Sequence, residues 1–415
     1  MSEISFIIKG KYKYHYLNIE PSEILANGIL CDDIFLSHCD LLEDLNNITF
    51  RFESQNTYCN KMFRDISEII EIDLSKFDSS KVIDMSRMFS DCSNLQKINF
   101  GNINTSSVEN MQDMFNGCSS LTSIDLSNLD ISKVSDMMYM FQNCNSLQTI
   151  NFGKINTSSL KRMTYMFEGC YSLISIDLSN FDTDKVTNMN SLFKDCKNLT
   201  LINFGNINTS SVENMKCRFQ GCSSLTSLNL SNLVISKVRY MDNMFQDCTN
   251  LRSLDLSYFD TYYLISVSNM FSGCNSLVYL NLFNFHWKTE MSNIFNGLPS
   301  NVKFCIKETK TLNKLLGKNI TSECICSNVY DKIIDKNKNI CIDSCINADY
   351  NYEYNNTCYN KCPDNTFLLI CNNNDFNNIT RQCLDQKPQG YYLDINEEVY
   401  KKCFDICDSC YVEVN

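Results

Sequence analysis

The sequence has few of the residues that carry catalysis or bind polyanions. It contains three histidines, His15, His38 and His286, and no phrase typical of a serine hydrolase, a P-loop or a zinc protease. Lys and Arg number 36 against 48 Asp and Glu, so the net charge is −12 at pH 7. Nucleic-acid binding needs clustered basic residues. We therefore predict a protein that is not an enzyme, holds no cofactor or metal and binds no nucleic acid.

Long apolar runs are also missing. No run approaches the ~20 residues that cross a bilayer. The opening residues, MSEISFIIKGKYKYHYL, lack the basic segment, long apolar segment and cleavage site of a secretory signal. We expect contact with a membrane or wall only through an anchor outside this sequence, and we expect the chain to be a fragment or an imperfect gene model.

One phrase does recur, with a period of 26 residues. Residues 108–126 carry it as V-x-x-M-x-x-M-F-x-x-C-x-x-L-x-x-I-x-L. Its phenylalanine returns at Phe63, Phe89, Phe115, Phe141, Phe167, Phe193, Phe219, Phe245 and Phe271. Its cysteine returns at Cys92, Cys118, Cys144, Cys170, Cys196, Cys222, Cys248 and Cys274. A fixed period of this length predicts a solenoid of about nine coils.

Each unit contains two apolar patterns. The alternation from Leu121 to Leu129 predicts a short parallel strand. The spacing from Val134 to Phe141 predicts a short helix or 3₁₀ turn. The predicted fold is thus an α/β solenoid of the leucine-rich-repeat type, a right-handed coil over residues 61–304, with a β-rich cap over 1–60 and an irregular cysteine-rich module over 305–415.

A longer rhythm overlies the 26-residue period. The links alternate between GNINTSSV (101–108) and SNLDISKV (127–134), and residues 93–144 are nearly repeated at 197–248. Block duplication of this kind favours a spacer or a repeated docking face over a single active site.

The repeat text resembles a known family. The phrase CYSLISIDLSNFDTDKVTNMNSLF (170–193) is similar to BspA-like leucine-rich-repeat surface proteins and to the 26-residue repeat of mycoplasma surface lipoproteins. The resemblance implies a surface or secreted protein used in adhesion or recognition, without catalytic activity. The tail phrases CYNKCPDNTFL (358–368) and KPQGYYLDINEEVYKKCFDICDSC (387–410) resemble furin-like or growth-factor-receptor-type cysteine-rich modules.

The 24 cysteines divide into two groups. The cysteines of the repeat point inward three residues after the core Phe, and we interpret them as reduced core thiols rather than disulfides or metal sites. The tail cysteines lie in sequence too polar to form a core, so we predict disulfides. Zinc held by Cys403, Cys407 and Cys410 is the alternative. The disulfide candidates are Cys305, Cys324, Cys326, Cys341, Cys345, Cys358, Cys362, Cys371, Cys383, Cys403, Cys407 and Cys410.

A polar column follows the predicted strands. Its members lie between inward-facing neighbours, so we expect them on the outer, concave side of the sheet. They are Asp73, Asn99, Asp125, Asn151, Asp177, Asn203, Asn229, Asp255 and Asn281. The column is either a solvated, mutually hydrogen-bonded stack or a binding site for a glycan, a peptide or a hard cation.

The sequence thus favours a monomeric extracellular or cell-surface protein that binds a protein or glycan ligand on a host, a neighbouring cell or matrix. Two alternatives stay open. One is an intracellular interaction scaffold with reduced thiols, and the other is a purely structural coat or stalk. The fold itself names no ligand.

Overall fold

A computed structural model describes the cap and the repeats over residues 2–10, 21–31, 41, 44–53, 57–205, 207–286 and 294–306. Beyond residue 306 it describes only the backbone of eight strands.

The N-terminal residues form a small antiparallel sheet that continues into the first coils. Its strands are β1 (Ser2–Lys9), β2 (Glu23–Ala26), β3 (Ile29–Leu30) and β4 (Leu45–Phe52), followed by β5 (Ile69–Asp73) and β6 (Lys97–Asn99) in the order β3-β2-β4-β1-β5-β6. Alternate residues of β1 are buried, and the ring of Phe6 packs edge-on at 5.3 Å from that of Phe63. Strand β1 therefore covers the first coil of the repeat.

The repeats form a solenoid, as the sequence predicts. The later coils contribute strands of three residues, except the coil that contains residues 227–229, which forms no strand. These strands are β7 (Ser123–Asp125), β8 (Thr149–Asn151), β9 (Ser175–Asp177), β10 (Leu201–Asn203), β11 (Ser253–Asp255) and β12 (Tyr279–Asn281), the last paired in parallel with β13 (Lys303–Cys305). The strands β5 and β6, β7 and β8, and β9 and β10 pair in parallel with a register offset of one repeat.

The core is built from stacked columns of identical side chains. From Phe63 to Phe271, successive phenylalanine rings lie 5.4 to 5.9 Å apart and within 12° of parallel. Each ring is fully buried. Because every coil repeats the same residue at the same place, burial and stacking extend along the whole array.

Of the predicted short helix or 3₁₀ turn, the described residues contain turns and no helix, so the class is a β-solenoid rather than α/β. In the segment that follows Val108, the Met114 N–H bonds the Met111 carbonyl and the Cys118 N–H bonds the Phe115 carbonyl, which are the bonds of two β-turns. Asp113 (φ 54°) and Gly117 (φ 77°) are left-handed, which a right-handed helix does not allow. Among the described residues, no helix could cross a membrane.

The tail is more regular than expected. Its strands are β14 (Ile333–Asp335), β15 (Ile340–Ile342), β16 (Tyr352–Tyr354), β17 (Thr357–Tyr359), β18 (Phe367–Asn372), β19 (Ile379–Leu384), β20 (Tyr391–Asp394) and β21 (Val399–Lys402). Four antiparallel pairs, β14/β15 to β20/β21, lie side by side in one sheet, and successive pairs are joined by parallel bridges. The sequence gives no apolar periodicity there, so the sheet was not predicted.

Candidate ligand-binding face

The polar column lies where the strands of the coils meet solvent. We call the outward residues of β5 to β10 the strand face. Its column members, and Asn229 further along, are exposed: Asp73, Asn99, Asp125, Asn151, Asp177, Asn203 and Asn229. The last two positions differ, because Asp255 is half-buried and Asn281 is 1% exposed. An exposed column therefore ends before the last coils.

The exposed column is organised in pairs, which we call Asp–Asn dyads. The Asn151 side-chain amide donates to Asp125 Oδ1 over 3.1 Å. The same bond, also 3.1 Å long, joins Asn99 to Asp73 and Asn203 to Asp177. Each dyad spans one paired set of strands, so the three dyads recur every 52 residues.

Each dyad carboxylate is also held by its own chain. Asp125 Oδ1 accepts the backbone N–H of Ser127 over 2.9 Å, an Asx turn at the end of the strand. Hydrogen bonds from Ser127 and Asn151 keep the pKa of Asp125 below its usual range. Asp177 has a lowered pKa for the same reason, with Ser179 and Asn203 as donors. The carboxylates of Asp125 and Asp177 are therefore ionised and fixed in position at neutral pH.

Shallow depressions lie on this face. One of about 440 Å³ is lined by β6, β7 and β8, with Ile98, Ile124 and Ile150 among its lining residues. Its polar lining includes Gln96 and Thr149 in addition to Asp125 and its partner amide. A second depression of about 390 Å³ is lined by β1, β5 and β6, and a third of about 140 Å³ lies beside β8 and β9. The face thus combines an apolar surface with hydroxyl, amide and carboxylate groups.

The dyads do not make a metal site by themselves. Within the described ranges, no group of three or more His, Cys, Asp or Glu could hold a metal ion. The carboxylate of each dyad accepts hydrogen bonds and the amide donates them, so the dyads suit ligands that offer hydroxyl or amide groups.

The cysteines of the repeat take no part in this face. They are fully buried, and the thiol of Cys118 donates to the Phe89 carbonyl over 3.1 Å, a contact repeated from coil to coil. Burial raises the pKa of Cys274 to about 12 and raises the pKa of Cys118 well above the ordinary value. The structure therefore places them as free, protonated core thiols, in agreement with the prediction.

The tail cysteines are mostly outside what the structure describes. Cys305 is buried and is not a free thiol. Cys341, Cys358, Cys371 and Cys383 lie on β15, β17, β18 and β19, whose side chains are not described. The other candidates, Cys324, Cys326, Cys345, Cys362, Cys403, Cys407 and Cys410, lie outside the described residues. Disulfides and the zinc alternative both stay predictions.

The sequence did not predict that the column divides into Asp–Asn pairs. It also did not predict which residues lie beside the column in the depressions. The signal was available, because strand phrases alternate between IDLSN (124–128) and INFGN (98–102), which places Asp and Asn in turn. Ser123 and Thr149, one place before the strand centre, were not predicted as site residues, because single hydroxyl residues do not form a recognisable sequence pattern.

Stacked coils with an extended polar strand face define a repeat-solenoid protein. Residues 57–173, 142–229 and 199–307 match the family described as "Mycoplasma protein of unknown function, DUF285". These matches cover more than half of the chain, and the chain belongs to this family.

Comparison with solved structures gives a partial likeness. The structure titled "Crystal structure of TLR13-ssRNA13 complex" is similar over 57% of this chain and 40% of that chain, with 15% sequence identity and a TM-score of 0.24. The match thus spans less than half the length of that protein. No curated protein matches the chain.

Proposed function

We propose that this protein is a secreted or surface-exposed recognition protein that captures a protein or glycan ligand with its strand face and performs no catalysis. One observation carries the proposal. Hydrogen-bonded Asp–Asn dyads line the same exposed face as the shallow depressions, above a core of stacked and fully buried side chains. Pre-organised polar groups beside apolar surface are the usual composition of a binding site.

Two further features support an extracellular setting. The repeat text resembles BspA-like surface proteins, and twelve cysteines lie between residues 305 and 410 in sequence with little apolar material. We propose that these cysteines form disulfides and that the tail serves as a stalk toward a membrane or wall. Such cysteine density is typical of oxidising compartments.

A purely structural coat is the second candidate, and one observation favours it. In every dyad the amide already donates a hydrogen bond to the carboxylate, so the polar groups of the exposed sheet have partners within the chain. A structural coat predicts that altering the dyads leaves capture of cells and matrix unchanged.

The test is a matched pair of double variants in the full chain. Asp125→Ala with Asp177→Ala removes two carboxylates from the strand face. Asp130→Ala with Asp182→Ala is the control, because these exposed residues make the same Asx turns in the links. We expect the first variant to lose most capture of neighbouring cells or matrix at unchanged unfolding temperature relative to the control. Equal capture by the two variants would overturn the proposal.

A further inference from the structure

The dyads impose a period on whatever binds the strand face. Every second coil carries an Asp of the column, at Asp73, Asp125 and Asp177. Each of these carboxylates accepts a hydrogen bond from the Asn of the next coil. Paired strands lie ~4.8 Å apart, and the core rings of successive coils lie 5.4 to 5.9 Å apart. Equivalent dyads, two coils apart, therefore lie roughly 10 to 12 Å apart along the array. A ligand that uses more than one dyad must therefore run along the stack, across the strands, and must repeat at two coil spacings.

We infer that the strand face binds a linear, neutral polysaccharide laid along the stack, with successive disaccharide units on successive Asp–Asn dyads. This inference rests on the proposed recognition function and specifies the class of its ligand.

The spacing favours a sugar chain over an extended polypeptide. A strand places side chains on one face every ~6.8 Å, twice its rise per residue, which falls out of step with dyads roughly 10 to 12 Å apart. In an extended β-linked glycan each sugar ring advances by close to one coil spacing and successive rings turn opposite faces, so its chemical repeat is the disaccharide. The alternation of Asp and Asn coils matches that repeat.

The chemistry of the depressions agrees with the spacing. The depression along β6, β7 and β8 includes Ile98 and Ile150, which are partly exposed, beside the Asp125 carboxylate and the Asn151 amide. A pyranose ring has an apolar C–H face and a rim of hydroxyls, which fits such a surface.

Charge decides against acidic polymers. The dyads place Asp73, Asp125 and Asp177 in one exposed line on the strand face. The basic residue of β5 to β10 is Lys97, which lies 3.8 Å from Glu71, so acidic side chains outnumber basic ones on these strands. A sulfated or uronic-acid polymer would bring like charges against this line, whereas a neutral polymer offers hydroxyl donors to the carboxylates.

The test uses the full chain and length-graded linear oligosaccharides of β-linked glucose and of β-linked N-acetylglucosamine, with two, four and six sugars, in calorimetric titrations. A sulfated polymer serves as the negative control. We expect the affinity of one series to rise about tenfold or more from the disaccharide to the hexasaccharide, because a longer chain reaches a second and a third dyad. Asp125→Ala should remove most of this gain, and the matched variant Asp130→Ala should keep it.

Three results overturn the inference: no binding by either series, equal affinity at all lengths, or stronger binding of the sulfated polymer. Its failure is separable from failure of the proposed function. If capture of cells still depends on Asp125 and Asp177 while the oligosaccharides do not bind, the face recognises another ligand. If capture depends on neither residue, both proposals fail.

Discussion

Gly153 lies so close to Ser127 of the preceding coil that a Cβ atom added to the glycine would be 2.6 Å from the serine Cβ and 2.9 Å from its Cα. Gly153 also has φ 62°, where a side chain is strained. Gly101 meets Ser75 and Gly205 meets Ser179 in the same way. From Ser75 to Gly205 a glycine coil therefore follows each serine coil, and the structural unit of this part of the array is two coils; further along, Ser257 follows Ser231 and the alternation ends.

Replacing this glycine tests the contact directly. Gly153→Ala should destabilise the protein by about 2–4 kcal/mol, from left-handed strain and overpacking together. Gly28→Ala is the matched control, because Gly28 has φ 81° but nothing within 4 Å of an added Cβ. Urea unfolding should show a clearly smaller loss for the control. Equal losses would show that Ser127 does not restrict the site.

The two-coil unit also predicts that a longer deletion is better tolerated than a shorter one. Deleting 93–144 removes two coils and places Gly153 against Ser75, as in the native order. Deleting 93–118 removes one coil and places Ser127 at the position of Gly101, where an added Cβ would lie 2.5 Å from the Cβ of Ser75. We expect the shorter deletion to lower the unfolding temperature more. The reverse order of unfolding temperatures would contradict a two-coil unit.

The solenoid was predictable because its evidence is periodic. Columns such as Phe115 and Cys118 return at fixed spacing, and burial then follows from stacking. The local conformation between them was not predictable from apolar spacing, because i, i+3, i+4 patterns suit a helix and a series of turns equally. The deciding signal was the Gly, Asp or Asn at positions such as Gly117 and Asn143, residues that tolerate left-handed backbone.

Buried Arg218 is a local defect in the core. It is 0% exposed, it lies over the rings of Phe204 and Phe219 at 5.1 and 5.3 Å, and two of its nitrogens lack a hydrogen-bond partner. Burial lowers the pKa of its guanidinium to about 9. Residues 227–229 of the same coil are also not a strand, unlike β10 and β11.

Restoring the residue of this column should therefore stabilise the protein. Arg218→Met is expected to raise the free energy of unfolding by about 1–4 kcal/mol, because a buried charge is replaced by an apolar side chain of similar length. Leu192→Met, one coil earlier in the same column, should change it by less than about 1.5 kcal/mol. A destabilised Arg218→Met variant would mean that the guanidinium has a partner that compensates for its burial.

The buried thiols predict a loss of stability in base. Their folded pKa is raised, to about 12 for Cys274, so the folded chain keeps protons that the unfolded chain releases. Stability is therefore complete below the unfolded thiol pKa of about 8.5 and falls as pH rises toward the folded value, by about 1.4 kcal/mol per pH unit for each thiol. In urea titrations, Cys118→Ala should reduce the pH dependence of the free energy of unfolding by about the contribution of one thiol. An unchanged pH dependence would contradict the burial of Cys118 in its protonated form.

The site was predictable only in part. The outward column followed from strand alternation, and its exposure holds from Asp73 to Asn229. Its division into dyads depends on which neighbouring strands pair, and its end after Asn229 depends on the local burial of Asp255 and Asn281. Neither is encoded in the alternation of a single strand.

A surface recognition role places the protein in an oxidising compartment, and the oxidation state of its cysteines reports the compartment directly. The measurement is a thiol census by mass spectrometry on protein from its native cells, alkylated before lysis and digested without reduction. We predict bridged cysteines between Cys305 and Cys410 together with free thiols from Cys92 to Cys274. Alkylated thiols throughout, or tail thiols protected until a chelator is added, would place the protein in a reducing compartment and contradict a surface recognition role.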